Sequence, residues 1–326
     1  LFPYTTLCRS VRQSDMATLN ALSSLPGIRA IQDPPKVGLI EPVAKEPADA
    51  IGTRAAEANI SHVGAPDVWA EGIDGSGIVV ANIDTGVRGS HSVLQSHYRG
   101  NQPGWVHGHD YNWWDPYDAT TAPMDGNGHG AHTMGTIVGS DGTAPAWASA
   151  ANTTGMAPGA RWMACRGCNT SSCGSVELLE CAEWVIAPWN LAGTAPNPDL
   201  RPHVVNNSWG DCGRAYNNWY QGAVDTWHAA GIYPVFSNGN NSNCGYAAPP
   251  GCNTVGNPAR YGNVTGVGST GQANGTYASH SNWGPTDHPD TINPRDYPTV
   301  KPQVMAPGVS PVFTDDRIDT PGAMTW

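Results

Sequence analysis

The chain has 326 residues, 39% of them hydrophobic, with 13 tryptophans, only 13% charged residues and a formal net charge of −11. Such an acid balance offers no basic face for phosphates, which excludes nucleic acid as a partner, and no apolar run approaches the ~18–20 residues of a membrane span. Glycine and proline make up about a fifth of the chain, below the ~25–30% of low-complexity sequences and without a period, so the chain is globular and can bury a large core.

In chain order, the first ten residues stand apart. Leu1-Phe2-Pro3-Tyr4-Thr5-Thr6-Leu7-Cys8-Arg9-Ser10 differs at one position, Cys8 in place of Phe, from the translation of a common sequencing adapter, and it lacks the apolar core of a signal peptide. It is therefore read as an artefact, so that Cys8 carries no biology. Residues 11–50 then read as a small pre-domain and linker. Leu19, Leu22, Leu25 and Ile28 predict a short helix ended by Pro26-Gly27, residues 31–40 a strand broken by Pro34-Pro35, and residues 41–50 an exposed Pro/Ala/charge linker.

From about residue 53 onward strands alternate with helices. Residues 78–83 form a β-branched run with the look of a buried parallel strand. A helix is predicted from near His129, a strand over 161–165, and a helix over 175–186 facing inward through Val176, Leu179, Ala182 and Ile186. A strand over 203–207 follows, then a helix over 216–230 with Tyr220, Ala223, Val224 and Trp227 inward, and a strand over 232–237. This alternation predicts an α/β fold, a doubly wound, mainly parallel sheet flanked by helices, with function at the carboxyl ends of its strands.

Three segments carry chemistry. Asp84 ends the first strong strand in Asn82-Ile83-Asp84-Thr85-Gly86-Val87; alone, such an aspartate is a cap or turn former. Asp125-Gly126-Asn127-Gly128-His129-Gly130-Ala131-His132 puts two histidines at a glycine-rich helix start, whose small residues allow close approach to other backbone. Ser237-Asn238-Gly239-Asn240 follows a buried strand, where the asparagine alone could be a turn residue. Asp84, Asp125, His129 and His132 could also be read as metal ligands of a hydrolase, and the whole as a non-catalytic peptide-binding scaffold.

In content, order and context these segments resemble the subtilisin-like serine proteases. Val205-Asn206-Asn207-Ser208-Trp209-Gly210 resembles the strand on which that family lays extended substrate, and Lys301-Pro302-Gln303-Val304-Met305-Ala306-Pro307-Gly308 the segment preceding its nucleophile. His109-Asp110-Tyr111-Asn112-Trp113-Trp114 is similar to the bacillopeptidase F-like subgroup. The resemblance implies a subtilisin-like fold over residues 51–326 and a secreted, monomeric endopeptidase without cofactor, acting on protein or peptide substrates.

It assigns His129 as general base, Asp84 as the partner of one imidazole nitrogen with the other facing an empty cleft, and Asn240 as oxyanion donor on that cleft. Ser208, Trp209 and Gly210 would pair with substrate backbone, with Ser237 and Gly239 adding substrate contacts. His132 is expected to be structural. Residues 11–47 resemble the tail of an inhibitory propeptide, cleaved somewhere in 41–50.

Two departures from the family pattern stand out. The nucleophile motif Gly-Thr-Ser-Met-Ala occurs nowhere in the chain; Gly322-Ala323-Met324-Thr325-Trp326 resembles the residues just before it, so the serine is expected beyond Trp326. Val93 stands where many members place an aspartate calcium ligand, and its side chain supplies no oxygen, so no metal is expected there. Apart from Cys8, seven cysteines remain, and Cys165, Cys168, Cys173 and Cys181 could be zinc ligands. Only one CxxC knuckle is present, which favours disulfides, with Cys244–Cys252 as the expected pair and one thiol left over.

Overall fold

A computed structural model describes residues 15–26, 28, 31, 33, 35–41, 58–104, 108–140, 153–170, 172–271, 275–286 and 300–309. The adapter-like residues 1–10, most of the linker and the segment 310–326 lie outside the described residues. Asp15 caps helix α1 (Met16–Ser23) by accepting the Thr18 amide at 2.7 Å. None of its residues is buried, and Leu25 and Ile28 beyond it are exposed, so this helix contributes nothing to a core. Strand β1 keeps only Gly38–Leu39 of the strand predicted over 31–40.

Two short helices, α2 (Ala58–His62) and α3 (Ala65–Ala70), lead to strand β2 (Val79–Asp84), whose six residues are all buried. There follow β3 (Trp113–Trp114), α4 (His129–Val138), β4 (Arg161–Arg166), α5 (Ser175–Ile186), β5 (Val204–Asn207), β6 (Trp209–Gly210) and α6 (Gln221–Ala229). Strands β7 (Tyr233–Ser237), β8 (Thr265–Gly271) and β9 (Val304–Val309) complete the order. Seven of the strands form one sheet in the order β3-β4-β2-β5-β7-β8-β9, every pairing parallel. The predicted α/β doubly wound sheet is thus the observed one.

The two-residue period of β2 divides the core. Val79, Ala81 and Ile83 join the cluster built with α5, α6 and the aromatics Trp209, Tyr220, Trp227 and Phe236, whereas Val80 joins Met134, Val138, Trp113 and Trp162 on the α4 face. Asn82 and Asp84 share that second face, which turns them toward α4. Val93 is packed in the same cluster and is a core residue.

Three sequence expectations change. Helix α5 buries Leu178, Cys181, Ala182, Trp184 and Val185, a face rotated from the one predicted, because the Cys165–Cys181 disulfide pulls the Cys181 side of the helix onto β4. Helix α6 starts at Gln221, five residues later than read, with Tyr220 fully buried ahead of it. The expected Cys244–Cys252 pair does not form: Cys244 bonds Cys212 and Cys252 is an exposed free thiol. The short spacing favoured the neighbour in sequence, whereas the fold brings the loop after β6 to the loop after β7. The four clustered cysteines pair as Cys165–Cys181 and Cys168–Cys173.

Candidate active site

Asp84 and His129 meet at the carboxyl end of β2. Their approach depends on two glycines: a Cβ on Gly130 would lie 1.9 Å from the Gly86 carbonyl oxygen, and one on Gly86, at φ +106°, would lie 2.0 Å from the Met124 carbonyl oxygen. Backbone contact this close seats the first turn of α4 on the end of β2. The N-cap residue of α4, Gly128, has no side chain to cap with. Asp125 replaces it, accepting the amides of Asn127, Gly128 and Ala131 at 3.0, 2.7 and 2.7 Å and the Thr85 hydroxyl at 2.8 Å. This half-buried carboxylate is taken up in holding the helix start. Among the described residues no group of three His, Cys, Asp or Glu side chains could hold a metal ion.

The His129 Nδ1–H donates to Asp84 Oδ1 at 2.7 Å, with both side chains almost wholly buried. The Thr85 amide donates to the same oxygen at 2.7 Å. Asn82 Nδ2 donates to the Thr133 hydroxyl at 3.0 Å and to the Gly130 carbonyl at 3.1 Å, tying β2 to α4, while Asn206 Nδ2 supports Asn82 Oδ1 at 2.9 Å.

The second imidazole nitrogen does not face an empty cleft. His129 Nε2 lies 3.1 Å from the Ile40 carbonyl oxygen. A carboxylate and a carbonyl can only accept, so both ring nitrogens carry protons and His129 is an imidazolium in this arrangement. Burial opposes that charge, but the Asp84 charge and hydrogen bond override it and raise the His129 pKa to about 9, with smaller support from Ile40 and Glu41. His132, on the same helix, is pushed down to about 3 by burial and by the neighbouring His129 charge, and is neutral.

The occupant of the cleft is the chain itself. Strand β1 pairs antiparallel with β6, Gly38 opposite Gly210 and Leu39 opposite Trp209, and the Ile40 amide donates to the Ser208 carbonyl at 3.1 Å. Asn240 Nδ2 donates to the Glu41 carbonyl at 2.9 Å, so Asn240 lies on the same cleft as His129. Gly239, at φ +92°, lies against the Ile40 side chain: a Cβ there would be 3.9 Å from Ile40 Cδ1. Ser237 ends β7 with a buried hydroxyl that makes no hydrogen bond. Trp209 also anchors the site from below, its indole N–H donating to the Ile83 carbonyl at 3.0 Å. Ile40 and Glu41 escaped the sequence reading; the alternation Val37-Gly38-Leu39-Ile40 was its one local signal.

In the Lys301 segment, the buried ammonium donates to the carbonyls of Tyr261 and Val264 at 2.8 and 3.1 Å, fixing the entry to the terminal strand β9.

Residues 75–323 match the family model described as the Subtilase family. The chain is 38% identical over 266 residues to bacillopeptidase F of Bacillus subtilis (strain 168), covering 79% of this chain and 17% of that protein. It is 30% identical over 247 residues to subtilisin DY of Bacillus licheniformis, covering 76% and 70% respectively. It is also 30% identical over 218 residues to the minor extracellular protease Vpr of Bacillus subtilis, 64% and 22%. The chain therefore spans only about a sixth of bacillopeptidase F.

Proposed function

Because the chain belongs to the subtilase family, we propose that residues 51–326 form the peptidase unit of a secreted serine endopeptidase, preceded at 11–50 by a propeptide remnant and linker. The observation that carries this reading is the peptide segment 38–41 lying as an added strand on Trp209–Gly210, with its Ile40 and Glu41 carbonyls at His129 and Asn240. An extended peptide held by backbone pairing is what an endopeptidase must present to its catalytic groups. The name of one relative, the minor extracellular protease Vpr, supports secretion.

In the proposed reaction a serine hydroxyl attacks the scissile carbonyl while His129 Nε2 takes its proton. Asp84 holds Nδ1–H and stabilises the imidazolium, and Asn240 Nδ2 donates to the oxyanion; subtilisin is itself the standard worked case for that donor. The proton then passes to the leaving amine, and water repeats the sequence on the acyl-enzyme. The proposed reaction takes its hydroxyl from a serine of a Gly-Thr-Ser-Met-Ala motif, which the 326 residues do not contain.

Segment 38–41 acts as an inhibitory strand: the Ile40 carbonyl occupies the very nitrogen that must accept a proton. His129 and Asn240 hold the carbonyls of two successive peptide bonds, and processing is assigned to the linker 41–50 that follows the bound strand.

The test is labelling by serine-directed phosphonylating or sulfonylating reagents of the protein extended through a Gly-Thr-Ser-Met-Ala continuation. The extended protein should react, His129→Ala should lower kcat by orders of magnitude with a much smaller change in KM, and N-terminal sequencing should begin within residues 41–50. A folded, processed protein that binds peptides yet never reacts is a binding scaffold, and the protease reading then fails.

A further inference from the structure

Asp84 spends one carboxylate oxygen on two donors. Its Oδ1 accepts both the His129 Nδ1–H and the Thr85 amide, each at 2.7 Å. The other oxygen, Oδ2, belongs to a side chain with no solvent exposure, and among the described residues its one donor is the Thr133 hydroxyl at 3.5 Å. A buried carboxylate oxygen left bare is costly, so whatever directs that hydroxyl acts on the charge of Asp84. Thr133 has a single proton and two places to send it: Asp84 Oδ2, and the Gly130 carbonyl at 3.0 Å one turn back along α4.

Asn82 decides between them. Its Oδ1 accepts from Asn206 Nδ2 at 2.9 Å, which fixes the amide with its own Nδ2 toward α4. From there Nδ2 donates to the Thr133 oxygen at 3.0 Å and to the Gly130 carbonyl at 3.1 Å. That carbonyl has two lone pairs; the helix amide four residues on takes one and Asn82 the other. The Thr133 proton is thereby turned to Asp84 Oδ2. At the far end, Asn206 Nδ2 also donates to the Ser208 hydroxyl at 3.2 Å, and the Ser208 carbonyl receives the Ile40 amide. A continuous polar path runs from the residue that pairs with the bound strand to the Asp84 oxygen that His129 leaves free.

We propose that Thr133 and Asn82 are positioning residues that act on His129 through Asp84: the hydroxyl, aimed by the amide, draws off part of the carboxylate's charge. An O–H dipole with its positive end at the carboxylate favours the anion and disfavours the neighbouring imidazolium, so the pair moderates the pull of Asp84 on the His129 proton. A base held too strongly protonated is a poor acceptor for a serine proton near neutral pH, and this path works against that. The inference rests on reading Asp84 and His129 as a catalytic pair, but the ionisation it concerns is measurable without peptidase activity.

Nitrogen-resolved NMR titration of the His129 imidazole in the 326-residue chain tests it, comparing wild type, Thr133→Val, Thr133→Ser, Asn82→Val and the Asn82→Val/Thr133→Val double variant. The other groups around His129 are the same in all five: Asp84 on β2, Glu41 at the end of the bound strand, and His132 and the capping Asp125 at the start of α4. From a wild-type midpoint of about 9, Thr133→Val should raise the midpoint by about half a pH unit, a threefold change in the ionisation constant. Thr133→Ser keeps the hydroxyl and should restore the wild-type midpoint. Asn82→Val should raise it as well, and the double variant no further than Thr133→Val alone, because both changes remove the same proton from Asp84. An unchanged or lowered midpoint in Thr133→Val would overturn the proposal, as would additive shifts in the double variant. If Asn82→Val loses hydrogen-exchange protection in β2 it has misfolded, and the Thr133→Val and Thr133→Ser comparison decides alone. Failure of the catalytic reading shows elsewhere, as a serine-bearing protein that never reacts with serine-directed reagents whatever these midpoints are.

Discussion

Asp84→Asn removes the main charge that keeps His129 protonated at neutral pH. In the native pair, burial pushes the imidazole toward neutrality and the carboxylate at 2.7 Å reverses that, raising the pKa from 6.5 to about 9. With the carboxylate gone the burial persists, so the His129 pKa should fall below 6.5. The raised native value is also a stability contribution. It is fully present below the unfolded-state pKa near 6.5 and is lost as pH rises through about 9. A shift of that size corresponds to about 3 kcal/mol at ~1.4 kcal/mol per pH unit. Ring-resolved NMR titration of the imidazole should show His129 protonated at pH 7.5 in the wild type and neutral in the variant. Urea unfolding near pH 6 and near pH 10 should show the wild type losing about 2–3 kcal/mol that Asp84→Asn does not lose. A wild-type His129 that is neutral at pH 7.5, or a variant whose His129 still titrates above pH 8, would refute the assignment of the proton to this pair.

The same proton bears on the inhibitory strand: above about pH 9 neutral His129 keeps Nδ1–H for Asp84 and turns an Nε2 lone pair toward the Ile40 carbonyl, so exchange over 37–41, corrected for intrinsic rates, should accelerate. Unchanged protection through that transition would show that Nε2 does not hold Ile40. Gly130→Ala places a Cβ 1.9 Å from the Gly86 carbonyl oxygen. It should cost about 1–3 kcal/mol in urea unfolding and return the His129 pKa toward its ordinary value; a cost under about 0.5 kcal/mol contradicts the contact. Trp209→Ala removes the indole bond to Ile83 and the edge-on packing against Tyr220 and Phe236 at 5.1 and 5.4 Å. Its expected cost is about 3–5 kcal/mol by thermal or urea unfolding, and a loss under about 1 kcal/mol would place Trp209 outside the core. Non-reduced digests should yield a Cys212–Cys244 link and an alkylatable Cys252. Replacing the linked pair by serine should cost about 3–4 kcal/mol in the chain-entropy limit, and a Cys244–Cys252 link would contradict the fold of both loops.

The sequence by itself determined the class of fold and the segments of the site. Buried parallel strands announce themselves as short β-branched runs, and residues 78–83 and 203–207 became β2 and β5 with shifts of one residue at most. Helix α5 was delimited at both ends. Asp84, His129 and Asn240 were picked out as candidates by the resemblance of their ordered segments to a known family; alone, the turn and glycine patterns around Asp84 and Asn240 read as caps and turns. Tertiary structure decided what depends on contacts between distant segments. Helix α5 carries apolar residues on two overlapping faces, and the Cys165–Cys181 disulfide to β4 goes with burial of the one through Leu178, Cys181, Ala182 and Val185. Cys244 found a partner 32 residues away rather than the near neighbour, because parallel strands β5 and β7 deliver their loops to one end of the sheet. The occupied cleft was the least legible feature: Asn240 and Glu41 are 199 residues apart, and the strand that fills the groove is held by backbone pairing, which depends on register and leaves almost no trace in side-chain identity.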